Sequence, residues 1–262
     1  MSEATVGAQE EAGLLTREGG AAIAYRRTVR AASCSLPDVV FLSGFMSDMT
    51  GRKAEALAAF CAGRGQGFVR FDYFAHGRSP GTMEEATIGG WAADAVAVVD
   101  RLTQGPFVLV GSSMGGWLML LAALARPEWV AGLVGIAAAP DFTEELVWNA
   151  YSPDEQARLM RDGLIEEPSP YGAQPYVFTR KLIEDGRAHR VLGGPIAIDV
   201  PVRLVHGMAD RDVPYSYSLR LAEKLASADV AVTLIKDGDH RLSRDGDLAR
   251  IAELVAEISD IP

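Results

Sequence analysis

Pro106-Phe-Val-Leu-Val110 runs straight into Gly111-Ser-Ser-Met-Gly-Gly116, and the apolar segment Trp117-Leu-Met-Leu-Leu-Ala-Ala-Leu-Ala125 follows. A buried strand, a Gly-x-Ser-x-Gly turn and a helix in that order are the sequence form of a nucleophile elbow. Such a turn bends the backbone so tightly that one serine hydroxyl stands clear of it. Glycines two residues to either side leave the room because they carry no Cβ. Gly111 and Gly115 bracket Ser113 in this way, so Ser113 is the candidate nucleophile and Ser112 a spacer. The motif by itself also occurs in ordinary turns, so its surroundings decide.

A serine hydroxyl is a poor nucleophile at neutral pH. It needs a histidine to take its proton and an acid to orient that histidine. The chain has four histidines, His76, His189, His206 and His240. With a serine on a strand-to-helix elbow, the chain order is Ser, acid, His. His76 precedes the serine and fails on order. His189 lies in the charged stretch Arg187-Ala-His189-Arg190 and reads as a surface residue. His206 ends the apolar run Val202-Arg-Leu-Val-His206 and reads as the last residue of a strand. His240 sits in the polar loop Lys236-Asp-Gly-Asp-His240, just after the strand-like Val230-Ala-Val-Thr-Leu-Ile235, where a general base belongs.

The acid should follow the preceding strand. There the sequence reads His206-Gly-Met-Ala-Asp210-Arg-Asp212-Val-Pro214. Asp210 is nearer the strand end and is the expected acid, with Asp212 as the alternative. Read more plainly, both are solvated loop acids capping the helix that begins near Tyr215. Asp141, after an earlier strand, is a further place for an acid, and Asp239 reads as a surface charge. Two backbone amides should meet the oxyanion. One is Met114, directly after the nucleophile. The other is Phe45, in the loop Ser43-Gly44-Phe45-Met46-Ser47-Asp48 after the strand Asp38-Val-Val-Phe-Leu42.

At 262 residues the chain is long enough for one large α/β domain. Strand-like runs at about 13–17, 21–29, 38–42, 67–72, 106–111, 131–138, 201–206 and 230–236 alternate with helical ones at 51–64, 87–103, 114–126, 215–226 and 246–258. This alternation implies a mostly parallel eight-stranded sheet with helices on both faces. Glu18-Gly-Gly20 reads as the turn of an opening hairpin. Strands 38–42, 106–110 and 202–205 are apolar almost throughout, as buried parallel strands are. The helix 114–126 is apolar almost all round, which predicts that it too is buried. Residues 1–12 read as a disordered tail, 13–140 and 201–262 as the two parts of the core.

Residues 141–200 interrupt this pattern after the sixth strand. Prolines, charges and aromatic residues mix there, and segments 144–149, 153–162 and 178–185 look helical. The segment is expected to be a small helical cap. Trp148, Tyr171 and Phe178, with Leu159 and Met160, are the candidate substrate-binding residues. Their plainer role is to glue the cap to the core.

Composition narrows the rest. The net charge of -10 and a pI near 4.9 leave no basic stripe for nucleic acid or for an anionic membrane. No 18-residue apolar span exists to cross a bilayer. Cys34 and Cys61 give no disulfide framework and suit a reducing compartment. No Cys/His cluster has metal-ligand spacing, and no glycine-rich loop has phosphate-binding form. The expected partner is therefore a small molecule, with no metal or cofactor and a monomer or small homo-oligomer as the working unit.

The elbow, the Asp210 loop and the His240 loop together resemble the α/β-hydrolase superfamily. Arg70-Phe-Asp-Tyr-Phe-Ala-His76-Gly77-Arg78-Ser79 and Ala125-Arg126-Pro127-Glu128 are similar to its habitual segments, except that Ala75 stands where glycine is usual. The likeness covers about residues 20–140 and 195–258. Gly111-Ser-Ser-Met-Gly-Gly-Trp117-Leu-Met-Leu120 and Gly44-Phe-Met-Ser-Asp48 resemble the branch containing a mitochondrial palmitoyl-protein thioesterase that also cleaves acyl glucuronides. The resemblance implies a triad of Ser113, Asp210 and His240 and cleavage of an ester or thioester through an acyl-enzyme. The first residues, Met1-Ser-Glu-Ala-Thr-Val-Gly-Ala-Gln-Glu-Glu, are acidic and have no transit-peptide character, so a cytoplasmic enzyme is expected. A C–C hydrolase, peptidase or haloperoxidase would keep the same serine. A ligand-binding protein on this scaffold would be expected to lose a triad member.

Overall fold

The computed structural model describes residues 10–18, 22–169, 171–172 and 174–261. Eight strands form one sheet: β1 (Glu10–Thr16), β2 (Ala22–Thr28), β3 (Asp38–Leu42), β4 (Phe68–Phe71), β5 (Phe107–Ser112), β6 (Val130–Ile136), β9 (Val202–Gly207) and β10 (Val230–Ile235). Their order is β1-β2-β4-β3-β5-β6-β9-β10. The first hairpin is antiparallel and joins β4 antiparallel, and every other pairing is parallel.

Side chains alternate faces along a strand, so each central strand feeds two apolar layers. Val39 and Phe41 of β3, Val108 and Val110 of β5, and Val134 and Ile136 of β6 pack under α1 (Arg52–Gly63) and α7 (Asp245–Ser259). Val40, Leu42 and Leu109 face the other way, toward α2 (Ile88–Leu102) and α3 (Met114–Ala125). Helix α3 is buried from Met114 to Leu120 and at Ala122 and Ala123, as its composition predicts, while Leu124 and Ala125 at its end are exposed. The sheet covers one side of it and the insertion covers the other: the Trp117 ring meets Phe142 edge-on at 5.9 Å and its indole N–H donates to the His189 carbonyl at 3.1 Å. Burying such a side chain stabilises by about 1.5–3 kcal/mol.

The insertion differs from the helical cap expected. It holds α4 (Pro153–Asp162) and α5 (Arg180–Ala188), but between them β7 (Leu164–Glu167) and β8 (Tyr176–Thr179) form an antiparallel hairpin. Phe178 is therefore a strand residue. Tyr176-Val-Phe-Thr179 has the aromatic and β-branched make-up of a strand. The helix starts one residue later, where the Thr179 hydroxyl accepts from the Leu182 amide. The helical segment expected at 144–149 is a π turn over Thr143–Val147 followed by a 3₁₀ turn over Trp148–Ala150.

The N-terminal boundary also moves. Residues 10–12, expected in a tail, belong to β1. Buried Arg70 requires them, since its guanidinium pairs with Glu10 at 2.7 Å and with Glu55 at 2.6 Å. A buried cation without such partners is costly. Residues 1–9 and the Gly19-Gly20 part of the expected turn lie outside the described residues. Ala75 adopts φ +62°, the left-handed conformation that glycine takes at least cost.

Candidate active site

The elbow follows from its local sterics. Ser113 has φ 55° and ψ -121°, a backbone state rare for a residue with a side chain. Its amide donates to the Ile136 carbonyl, and its carbonyl accepts from Gly116 and Ala139, so β6, the loop after it and the first turn of α3 hold the elbow. A Cβ on Gly115 would lie 2.1 Å from the Leu42 carbonyl oxygen, so no larger residue fits there. The hydroxyl of Ser113 is left at the start of α3, at the C-terminal edge of the sheet.

Three of the residues expected at the site come together. Ser113 Oγ is 3.1 Å from His240 Nε2, and His240 Nδ1 is 2.7 Å from Asp210 Oδ2. The partners fix the tautomer. A carboxylate only accepts, so Nδ1 carries the proton, and the bare Nε2 accepts from the serine. Asp210 has no side-chain exposure and His240 has 14%. Burial pushes the Asp210 carboxyl upward. Hydrogen bonds from His206, His240 and the Val213 amide outweigh that and hold it well below the usual carboxylate range. Asp212 is close by but makes no bond to His240: its carboxylate accepts from the hydroxyl of Tyr171 on the insertion. Asp141 is buried elsewhere. It accepts from the Val191 and Leu192 amides at 2.8 and 2.9 Å and so ties the end of the insertion to its beginning.

Phe45 and Met114 line the same cavity as Ser113. A Cβ on Gly44 would lie 3.4 Å from Ser113 Cβ, which shows how closely that loop approaches. Among the described residues, neither the Phe45 nor the Met114 amide donates to a protein acceptor. His76, set aside by its chain order, holds this loop. The Met46 amide donates to His76 Nε2 at 3.0 Å, while His76 Nδ1 faces the Phe74 carbonyl at 3.1 Å. Burial pushes the His76 imidazole below its ordinary value, partly offset by the Phe74 bond, and the neutral ring is the form that can accept from Met46.

A cavity of about 810 Å³ opens over the serine. Tyr171 and Phe178 line it, as do Phe142, Leu146, Tyr151 and Tyr176, which the sequence reading did not select. Phe142 and Leu146 are four residues apart, a spacing that pairs side chains on one helical face and could have marked them. Phe45 joins the two regions. Its ring stacks on Phe178 at 5.2 Å and meets Phe142 and Tyr176 at 5.8 and 5.6 Å. Trp148 is not at the cavity. Its ring lies under the Arg187 guanidinium at 4.6 Å, because the 3₁₀ turn rotates it off the lining face. Leu159 is buried within the cap and Met160 is exposed.

Asp210, Asp212 and His240 have potential ligand atoms within 4.8 Å of one another, the one such grouping among the described residues. Their polar atoms are already engaged with each other, with Ser113 and with Tyr171. Among the described residues, no helix is long and apolar enough to cross a membrane.

The α/β-hydrolase fold family profile matches residues 37–165. The mitochondrial palmitoyl-protein thioesterase ABHD10 of Mus musculus is 40% identical over 230 residues, covering 86% of this chain and 77% of the relative. The Homo sapiens protein of that name is 38% identical over 225 residues, covering 86% and 73%. Among solved structures, a protein from Agrobacterium vitis S4 superposes with a TM-score of 0.90 at 40% identity, over 96% of this chain and 99% of that one. Mouse α/β-hydrolase domain-containing protein 10 superposes with a TM-score of 0.86 at 37% identity, over 95% and 98%. The cytoplasmic setting expected from the first residues is corrected by these matches, since the curated relatives are mitochondrial proteins. The chain belongs to the α/β-hydrolase fold family, in the branch that holds the ABHD10 proteins.

Proposed function

We propose that this protein hydrolyses a carboxylic ester or thioester through an acyl-enzyme on Ser113. The observation that carries the reading is the hydrogen-bonded succession from Ser113 through His240 to Asp210 at a positive-φ elbow. Ser113 Oγ attacks the acyl carbonyl as His240 Nε2 takes its proton. Asp210 keeps His240 in the required tautomer and stabilises the imidazolium without taking the proton itself. The Phe45 and Met114 amides hold the oxyanion, and one such donor typically lowers the barrier by about 3 kcal/mol. His240 then protonates the leaving thiol or alcohol. It next activates the water that releases the acid and restores Ser113.

The aromatic and aliphatic lining of Phe142, Leu146, Tyr171, Tyr176 and Phe178 suits an acyl chain. The thioesterase names of the relatives favour a thioester among the substrates. The test is turnover of p-nitrophenyl esters from acetate to palmitate, with a palmitoyl thioester beside them, together with fluorophosphonate labelling. Ser113→Ala should abolish labelling and lower kcat by about 10⁶. Undiminished labelling of that variant would overturn the assignment.

A further inference from the structure

His206, expected at the end of its strand, is the penultimate residue of β9, and its side chain is fully buried. A valine or leucine would fill such a place without the cost of burying a polar ring, so the imidazole must be matched by partners. It has three. His206 Nε2 lies 3.1 Å from Asp210 Oδ2 and 2.9 Å from the Val213 carbonyl, and Nδ1 lies 2.7 Å from Ser218 Oγ. Both Nε2 partners are acceptors, so Nε2 carries a proton. Nδ1 then faces the Ser218 hydroxyl of α6 (Ser216–Lys224), which can supply a hydrogen to it.

We propose that His206 is a positioning residue for the reaction, a second imidazole that fixes the Asp210 carboxylate at the same oxygen that His240 meets. The inference rests on the serine-hydrolase reading above. Asp210 Oδ2 accepts from both rings, while Oδ1 accepts from the Asp212 and Val213 amides at 2.9 and 2.8 Å. With both oxygens held, the carboxylate cannot rotate away from His240. The His206 donor also draws some of the carboxylate's charge away from His240. The other ionisable groups beside this arrangement are Asp212, bonded to Tyr171, and Arg241, which lies over the Tyr171 ring. Neither Asp212 nor Arg241 bonds to His206.

The experiment uses the full chain with His206→Phe, His206→Gln and Ser218→Ala. Fluorophosphonate titration counts competent sites, and p-nitrophenyl butyrate hydrolysis gives kcat, KM and the pH profile per competent site. His206→Phe should lower kcat about tenfold with KM unchanged, a fraction of the ~10²–10⁴ that general-base catalysis contributes. Its acid limb of kcat/KM should move up by about half a pH unit, because Asp210 loses a charge-dispersing donor. His206→Gln, whose amide nitrogen keeps a donor, should recover most of kcat. Ser218→Ala should lower kcat about threefold and move the limb in the same direction. If His206→Phe does not fold, Ser218→Ala decides. Fewer competent sites or a lower Tm with kcat per site and the acid limb unmoved would make His206 a purely structural residue and overturn the inference. Wild-type protein that fails to label would instead overturn the serine-hydrolase reading, and this inference with it.

Discussion

The sheet core and the insertion over it are held together by different means. In the core, every residue of β3 and β5 is buried, and the loop that leaves β3 is fixed by buried side chains, the Met46 amide donating to His76 and the Met49 amide to Asp72. In the insertion, β7 and β8 are four residues each, and many side chains are partly exposed. The two regions meet through rings around Phe45, through Trp117 against Phe142 and the His189 carbonyl, through Glu145 with Tyr217 and Arg220, and through the bond from Tyr171 to Asp212. On the reading proposed above, the core sets chemical geometry, whereas the insertion sets which acyl group fits. Substitutions in the core should slow every substrate alike, and substitutions in the insertion should discriminate among them.

The largest expected effect tests the core half of this contrast. Asp210→Asn should lower kcat by about 10⁴ for acetate and palmitate esters alike, because His240 loses its fixed tautomer. Asp212→Asn should change kcat less than about threefold, since Asp212 bonds to Tyr171 and not to His240. Equal losses in the two variants would exchange their roles. Phe178→Ala tests the insertion. It should lower kcat/KM for the palmitate ester about thirtyfold, mainly through KM, and leave the acetate ester within about threefold. A uniform loss across chain lengths would break the contrast.

The smallest effect concerns the loop between the regions. His76 is buried with its pKa depressed, so the folded state disfavours its charged form. Its contribution to stability is present in full above the unfolded value of about 6.5. It is lost as pH falls from there toward the folded value, at up to about 1.4 kcal/mol per pH unit. Denaturant unfolding between pH 7.5 and 5 should show a steeper loss in the wild type than in His76→Gln. Parallel slopes would mean that His76 carries a charge in the folded protein.

The core was legible because its signals are local and redundant. Val108-Leu-Val110 reads as a buried strand whatever surrounds it, and Gly111 and Gly115 mark the turn that follows. His240 and Asp210 were found by chain order and loop position. Trp148 and Phe178 were harder. Four-residue strands and single turns are too short for hydrophobic periodicity to tell strand from helix or to say which way a ring points. The roles of His76 and His206 depend on partners 30 and 4 residues away whose approach only the folded chain creates. Nothing adjacent to them in sequence announces those contacts.

Asp141 has a consequence for how such a protein can change. One carboxylate, on a residue at φ 60°, gathers the departing chain and the returning Val191 and Leu192 amides at a single point. What lies between is an excursion with its two ends already joined. The entropic cost of closing a longer or shorter excursion varies only slowly with length. On the proposed reading, the stretch from 142 to 190 is therefore the part whose length and lining can vary between its fixed ends at Asp141, while Ser113, Asp210 and His240 stay where they are.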